Sequence, residues 1–201
     1  GTGKTNFCLL AAVSQAKKGN KVIFIDSEGG FSSERVKQLS PEDYGSVLKN
    51  ILLLKPTNFS EQKKAFDELL KSLKDEVSLI VVDGMTILYR LDFAAARDND
   101  KGENGEMRKI NSELARQLRV LAEIARKRNI PVIVTNQVYK WDDSLRMVGG
   151  DILKYWGKCL IELSNENGKR MAYLRKHRSL PEKELEFQIV DSGIRKRGFF
   201  A

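Results

Sequence analysis

The segment Gly1-Thr2-Gly3-Lys4-Thr5 opens the chain, and with the helix and strand patterns just after it constrains the fold more than any other feature. Phe7, Leu9, Leu10, Ala11, Val13 and Ala16 form an apolar set typical of a buried helix. Lys17 and Lys18 suit the negative C-terminal end of that helix, and Gly19-Asn20 supplies a stop. Lys21-Val22-Ile23-Phe24-Ile25-Asp26 is then a short apolar run that reads as a buried strand. Glycine loop, helix, turn and strand in this order predict an alternating α/β domain.

The pentapeptide is the second half of the phosphate-binding pattern G-x-x-x-x-G-K-[ST]. Glycines let backbone N–H groups approach phosphates closely, and the following helix points its positive end at them. In this reading Gly1, Thr2, Gly3, Lys4, Thr5 and Asn6 bind the nucleotide. Lys4 reaches the β- and γ-phosphates of ATP, and the Thr5 hydroxyl holds Mg²⁺. The competing reading of five residues alone is a glycine turn followed by a chance Lys-Thr. The pattern's first glycine, and the strand that normally feeds such a loop, lie ahead of Gly1. The chain therefore reads as a nucleoside-triphosphatase core, either truncated at its N-terminus or numbered from inside its own motif.

Further strands are expected at 50–54, at Val77–Asp83 and at 131–136. Helices are expected at 59–73, beginning near Ser60, and at 110–128, with Leu114, Leu118, Leu121, Ala122 and Ala125 facing in. The polar stretch 94–106 reads as a mobile loop. After Gly150 the pattern changes to strands at 159–163, 170–175 and 184–190, with Glu166-Asn167-Gly168 as a hairpin turn. The predicted fold is a mostly parallel, twisted P-loop sheet flanked by helices. Antiparallel C-terminal strands are expected to join the same sheet, all in one domain over 1–201.

Leu79-Ile80-Val81-Val82-Asp83 is a Walker B pattern, four apolar residues before an acid at a strand's C-terminal end. Asp83 is expected to hold Mg²⁺ through water or Thr5. Glu28 and Gln137 come just after two other strands, and ligands of parallel α/β sheets sit beyond the strands' C-terminal ends. Glu28, Asp83 and Gln137 should therefore converge near Lys4. A carboxylate there can activate water, and an amide there can sense the γ-phosphate. The bland alternatives are a solvated loop acid for Glu28 and a strand cap for Gln137.

The 201 residues suffice for one well-packed core. A net charge of +8 favours a polyanionic partner, though such surfaces also serve solubility. No apolar run approaches the roughly 18 residues of a membrane span, so no membrane association is expected. Cys8 and Cys159 lack metal-ligand spacing and read as reduced core residues of a cytoplasmic protein. The only histidine, His177, cannot build a metal site alone.

Several segments together resemble a known family. Ile25-Asp26-Ser27-Glu28-Gly29-Gly30-Phe31-Ser32-Ser33-Glu34-Arg35 is similar to the D-T-E-G-T-F-x-x-E-R segment of RecA/RadA-type recombinases. Val134-Thr135-Asn136-Gln137-Val138 resembles their T-N-Q-V sensor strand. Val82-Asp83-Gly84-Met85-Thr86, Gly149-Gly150-Asp151-Ile152 and Leu180-Pro181-Glu182 fall in the family's order. The resemblance covers essentially the whole chain and is closest to the archaeal RadA/RadB branch, with a length and short loops that look RadB-like. It implies a RecA-like core, a catalytic role for Glu28 and Lys4, and a γ-phosphate-sensing role for Gln137. It also implies that Arg35 packs on the adenine and that the segment with Pro181 caps a neighbouring subunit's nucleotide. The family's two DNA-binding loops would fall at 92–107 and 139–148. Here they carry Arg97, Lys101 and Arg108, then Lys140, Trp141 and Arg146, a set suited to single-stranded DNA.

The chain also departs from the family. The 139–148 loop is short for strand exchange, and Gly30 replaces the usual threonine. Arg175-Lys176-His177-Arg178 stands where an acidic residue is common, so Lys176 or Arg178 is a candidate to act across a subunit interface. A basic strand end touching DNA or solvent is the alternative. Phe93-Ala94-Ala95-Ala96 has the family's F-x-x-A polymerisation spacing but reads as loop composition. The expected function is an ATP-binding, slowly hydrolysing, DNA-binding recombinase paralogue in recombination and repair. It would self-associate or bind a recombinase or nuclease partner. Two alternatives stay open: a non-catalytic mediator, and another RecA-like ATPase such as a KaiC-like regulator or a helicase.

Overall fold

A computed structural model describes residues 1–99, 105–141, 144–150 and 152–197. Helix α1 (Lys4–Ala16) leads to β1 (Lys21–Asp26), α2 (Ser33–Leu39), α3 (Tyr44–Lys49) and β2 (Ile51–Leu54). Next come α4 (Phe59–Ser72), β3 (Val77–Asp83), α5 (Ile87–Asn99), α6 (Gly105–Lys127) and β4 (Val132–Val134). Strands β1 to β4 form a parallel sheet in the order β2-β1-β3-β4. Strands β1 and β3 are central and apolar on both faces, as a doubly covered parallel sheet requires. Alternation splits them between two cores. Val22, Phe24, Leu79 and Val81 pack with α1, α2 and α3 residues such as Leu9, Val36 and Val47. Ile23, Ile25, Ile80 and Val82 pack with α4, α5 and α6 residues such as Phe66, Leu88 and Leu118. Each such side chain contributes about 1.5–3 kcal/mol on burial.

Helix α4 starts where Asn58 Oδ1 accepts the Glu61 backbone N–H at 2.9 Å, a side-chain N-cap. The expected loop at 94–106 is corrected at 94–99 and at 105–106, while 100–104 lie outside the described residues. Residues through Asn99 continue α5, and α6 already begins at Gly105, five residues ahead of the expected Ile110. The reason is tertiary: Leu88 and Ala96 are buried. Tyr89 meets Phe59 edge-on, and Phe93 stacks on Tyr89 at 5.6 Å. Phe93 is thus a helical aromatic, not loop composition. Arg97, one of the polar residues that suggested a loop, lies exposed on the outer face of α5.

Beyond β4 stand a two-stranded hairpin, β5 (Val138–Trp141) with β6 (Ser144–Met147), and α7 (Ile152–Trp156). Four antiparallel strands come last: β7 (Leu160–Glu166), β8 (Lys169–Lys176), β9 (Lys183–Val190) and β10 (Gly193–Lys196). Asn167 and Gly168 adopt φ of 52° and 85°, the positive pair that an Asn-Gly hairpin turn needs. These strands pair only with one another, in the order β10-β9-β8-β7. The expectation that they extend the parallel sheet is therefore corrected. They are held to it by side chains instead. Phe187, 1% exposed, meets Phe7 of α1 edge-on at 5.2 Å. A further correction concerns Cys159: it is exposed, while Cys8 is buried. The apolar run that suggested a core begins only at Leu160, on β7. No helix among the described residues is long and apolar enough to cross a membrane.

Candidate nucleotide site

Parallel strands deliver their C-terminal residues to one edge of the sheet, and the candidate residues gather there. Gly3 stands at the N-cap of α1 with φ 106°, a left-handed conformation that favours glycine. Its missing Cβ is also needed for space, since one would lie 3.3 Å from Ile189 Cδ1 and 3.5 Å from Phe187 Cε2. The backbone of Gly1 is touched from β7, where Asn165 Nδ2 donates to its carbonyl at 3.4 Å. Lys4 and Thr5 then open α1.

Thr5 Oγ1 donates to Asp83 Oδ2 at 2.6 Å, joining the two halves of the expected metal site directly. Asp83 is fully buried. Its other oxygen accepts from Thr135 Oγ1 at 2.6 Å, and Thr135 in turn accepts from the Gly84 backbone N–H at 2.8 Å. Thr135 thus orients the carboxylate. No local sequence pattern signals this role, because the link spans 52 residues. Among the described residues no lysine or arginine forms an ion pair with Asp83.

Glu28 lies in the turn after β1. Asp26, 2% exposed, shapes that turn by accepting the backbone N–H groups of Gly30 and Phe31, each at 3.0 Å. Gln137 Nε2 donates to Glu28 Oε1 at 3.2 Å, which brings these two expected site residues together, and the backbone N–H of Ser27, next to Glu28, donates to the Asp83 carbonyl at 2.9 Å. A second unforeseen residue is Gly84, whose φ is 86°. A Cβ there would lie 2.5 Å from Glu28 Cγ, so only glycine leaves Glu28 its place. Gly30 is close to Thr5 as well, with a Cβ position 3.0 Å from Thr5 Oγ1. The glycine that departs from the family pattern thus borders the metal-site hydroxyl. Buried beside these groups, the Cys8 thiol is pushed far up from its usual range, first by desolvation and then by the Asp83 charge.

Arg35 is more constrained than a free stacking side chain. Its Nε donates to Asn6 Oδ1 at 2.9 Å and its Nη atoms to Gln38 Oε1 and to the carbonyls of Val190, Asp191 and Gly193. All five N–H groups are engaged. Asn6 is thereby tied to the β9–β10 turn.

Among the described residues, the remaining candidates stand on other elements and turns than this cluster. Arg97 and Arg108 are exposed on α5 and α6. Lys101 lies outside the described residues. Lys140 and Trp141 stand on β5 and Arg146 on β6, with side chains outside those described. The hairpin starts one residue after Gln137 and is closed at its base by Val148 N–H donating to the Gln137 carbonyl at 3.2 Å. Lys176 Nζ donates to the carbonyls of Lys154 and Gly157, both at 2.9 Å, at the end of α7. Arg178 and Pro181 are exposed in the turn before β9. Two surface grooves run beside β2, lined by residues such as Lys55 and Ala65 or Lys21 and Lys74, and hold none of the site residues.

Comparison with known proteins places this geometry in a family. The model of the family described as Rad51 matches residues 1–197. The DNA repair and recombination protein RadB of Methanobrevibacter smithii is 39% identical, over 96% of this chain and 83% of that protein. The protein of the same name from Methanocaldococcus jannaschii is 39% identical, over 96% of this chain and 88% of its own length. The crystal structure of the RadB recombinase superposes with a TM-score of 0.77 at 35% identity, covering 96% of this chain and 84% of that one.

Proposed function

The chain belongs to the Rad51 family and is a recombinase paralogue of recombination and repair, and on that premise we propose that it binds ATP with Mg²⁺, hydrolyses it slowly and acts on single-stranded DNA. Members of the family are in general ATPases. The observation that carries the reading is the contact of Gln137 with Glu28 beside the Thr5–Asp83 bond. It supports a reading in which Glu28 is the base, Gln137 the sensor and Thr5 with Asp83 the metal-binding pair.

The donor set fits Mg²⁺. A buried carboxylate and a hydroxyl lie within hydrogen-bond distance of each other, and Mg²⁺ takes one or two protein oxygens and completes its shell with phosphates and water. Among the described residues no cluster of three or more acids, histidines or cysteines could hold a metal without such help. When bound, the ion neutralises charge on the β- and γ-phosphate oxygens. Lys4 adds a fixed positive charge to the same phosphates. Glu28 orients a water and takes its proton as the water oxygen bonds to the γ-phosphorus. The bond from that phosphorus to the β,γ-bridging oxygen breaks, leaving ADP and phosphate. In this reading the Gln137 amide turns from Glu28 toward a γ-phosphate oxygen when ATP binds. Occupancy of the site therefore changes the hydrogen bonding at the base of the β5–β6 hairpin.

The hairpin, with Lys140, Trp141 and Arg146, is the proposed DNA contact, helped by Arg97. Lys176, Arg178 and Pro181 are proposed to face a neighbouring copy or a recombinase or nuclease partner. The whole works as one ATPase domain in the cytoplasm. Lys4→Ala tests the premise: calorimetric titration with ATP and Mg²⁺ should show binding abolished, and unchanged affinity would sink the phosphate-loop reading. A mediator that binds ATP without turning it over is favoured by one feature, the amide already resting on Glu28. Turnover measured with and without single-stranded DNA separates the two readings.

A further inference from the structure

We propose that Gln62 and Gln117 are positioning residues that fix Glu28 and tie it mechanically to helix α6. Both are fully buried, in contact with an otherwise apolar core. Leucine or methionine would fill the same space without the cost of burying an amide. What the amides add is direction. Gln62 Oε1 accepts from Ser27 Oγ at 3.3 Å, and its Nε2 donates to the Met85 carbonyl at 3.1 Å. Ser27 immediately precedes Glu28. Met85 is the residue after Gly84, the glycine against which the Glu28 side chain packs. One amide therefore holds both walls of the Glu28 slot.

The same nitrogen of Gln62 also donates to Gln117 Oε1 at 2.8 Å, and Gln117 Nε2 donates to Glu113 Oε1 at 2.9 Å. Glu113 is gripped by Arg116 through two bonds of 2.9 and 2.8 Å. The chain of bonds thus leaves the catalytic turn, crosses α4 and runs along α6. Its inner part, the fully buried Gln62–Gln117 pair, has few alternative arrangements because both amides are bonded there, so a shift or rotation of α6 is transmitted to Glu28. Whatever ligand biases α6 then alters the alignment of the base. This proposal rests on the reading of Glu28 as the catalytic base, and its test must separate the two.

The experiment uses full-length Gln62→Met, Gln117→Met and Ser27→Ala, the last removing a single hydroxyl. Turnover and ATP·Mg²⁺ affinity are measured in each, and again on a Glu28→Gln background. The expected result is a turnover loss of about tenfold or more, because a misplacement near 1 Å costs up to about 10²-fold. Affinity should stay unchanged, and no further loss should occur on the Glu28→Gln background. Unchanged turnover, or the same loss on both backgrounds, overturns the proposal. If the wild type shows no turnover, the base reading of Glu28 fails independently, and hydrogen exchange decides the positioning. The amides of 27–31 and 84–86 should then exchange faster in all three variants, while those of α4 and α6 stay protected. Exchange unchanged at those amides also overturns it.

Discussion

Glu28 is held on one side by the Gln137 amide and fits on the other only because Gly84 has no Cβ. Glu28→Gln keeps its shape and removes its basicity. ATP affinity should survive, and turnover should fall by about 10²–10⁴-fold, the range for a lost general base. A normal rate in single-turnover assays would put the base elsewhere. Gly84→Ala attacks the same residue from behind. The new Cβ must displace Glu28 Cγ, and alanine at φ 86° adds about 1–2 kcal/mol of backbone strain. Turnover should fall with ATP affinity retained, and the denaturation midpoint should drop. Full activity in this variant would mean that Glu28 has other room. The cysteines give an independent check on burial. Cys159 is exposed, whereas the buried Cys8 thiol is pushed up and kept protonated. A thiol reagent should label one cysteine in the native protein and both after denaturation. Labelling of both at native rates would contradict the packing of α1.

At the scale of elements, the hairpin β5–β6 is the part best placed to report nucleotide state, because it grows directly from Gln137. Trp141→Ala should weaken single-strand binding by about 1–3 kcal/mol if a base stacks there. Lys140→Ala and Arg146→Ala should each flatten the salt dependence by roughly one phosphate contact. Gln137→Ala should leave nucleotide-free binding intact and remove its ATP-dependent part, since coupling is a difference between two states. Fluorescence anisotropy of a labelled strand, across salt and with a non-hydrolysable analogue, measures all four. Wild-type behaviour in every variant would exclude the hairpin. Helices α5 and α6 carry a different lesson. Residues 94–99, expected to open a loop, are helical because Ala96 and the aromatic and apolar residues before it have a core to reach.

For the whole molecule, two sheets meet at the phosphate loop. The parallel sheet carries the proposed site residues, and the antiparallel one braces the start of α1 from behind, through Phe187 against Phe7 and Gly3. Arg35 adds a polar tie between the same parts. Phe187→Ala should therefore cost about 3–5 kcal/mol of stability in chemical denaturation. It should also weaken ATP binding, because Gly3 would lose its backing. An unchanged denaturation midpoint would mean that the second sheet docks by other contacts.

The sequence by itself determined the α/β order, the central strands and which polar residues stand at the C-terminal edge of the parallel sheet. Apolar runs ending in Asp83 or leading to Glu28 and Gln137 are local patterns, and strand direction alone sends their ends to one edge. The Asn167-Gly168 turn was legible for the same reason, since its backbone preference is intrinsic. Tertiary structure decided what depends on partners far along the chain. Whether the C-terminal strands join the first sheet is settled by edge pairing, which no single strand encodes. Cys159 looks like a core residue until its neighbours are in place. Thr135, Gly84, Gln62 and Gln117 gain their roles from contacts across 52, 56, 23 or 55 positions, where the physical constraint is a shared space and not a sequence pattern.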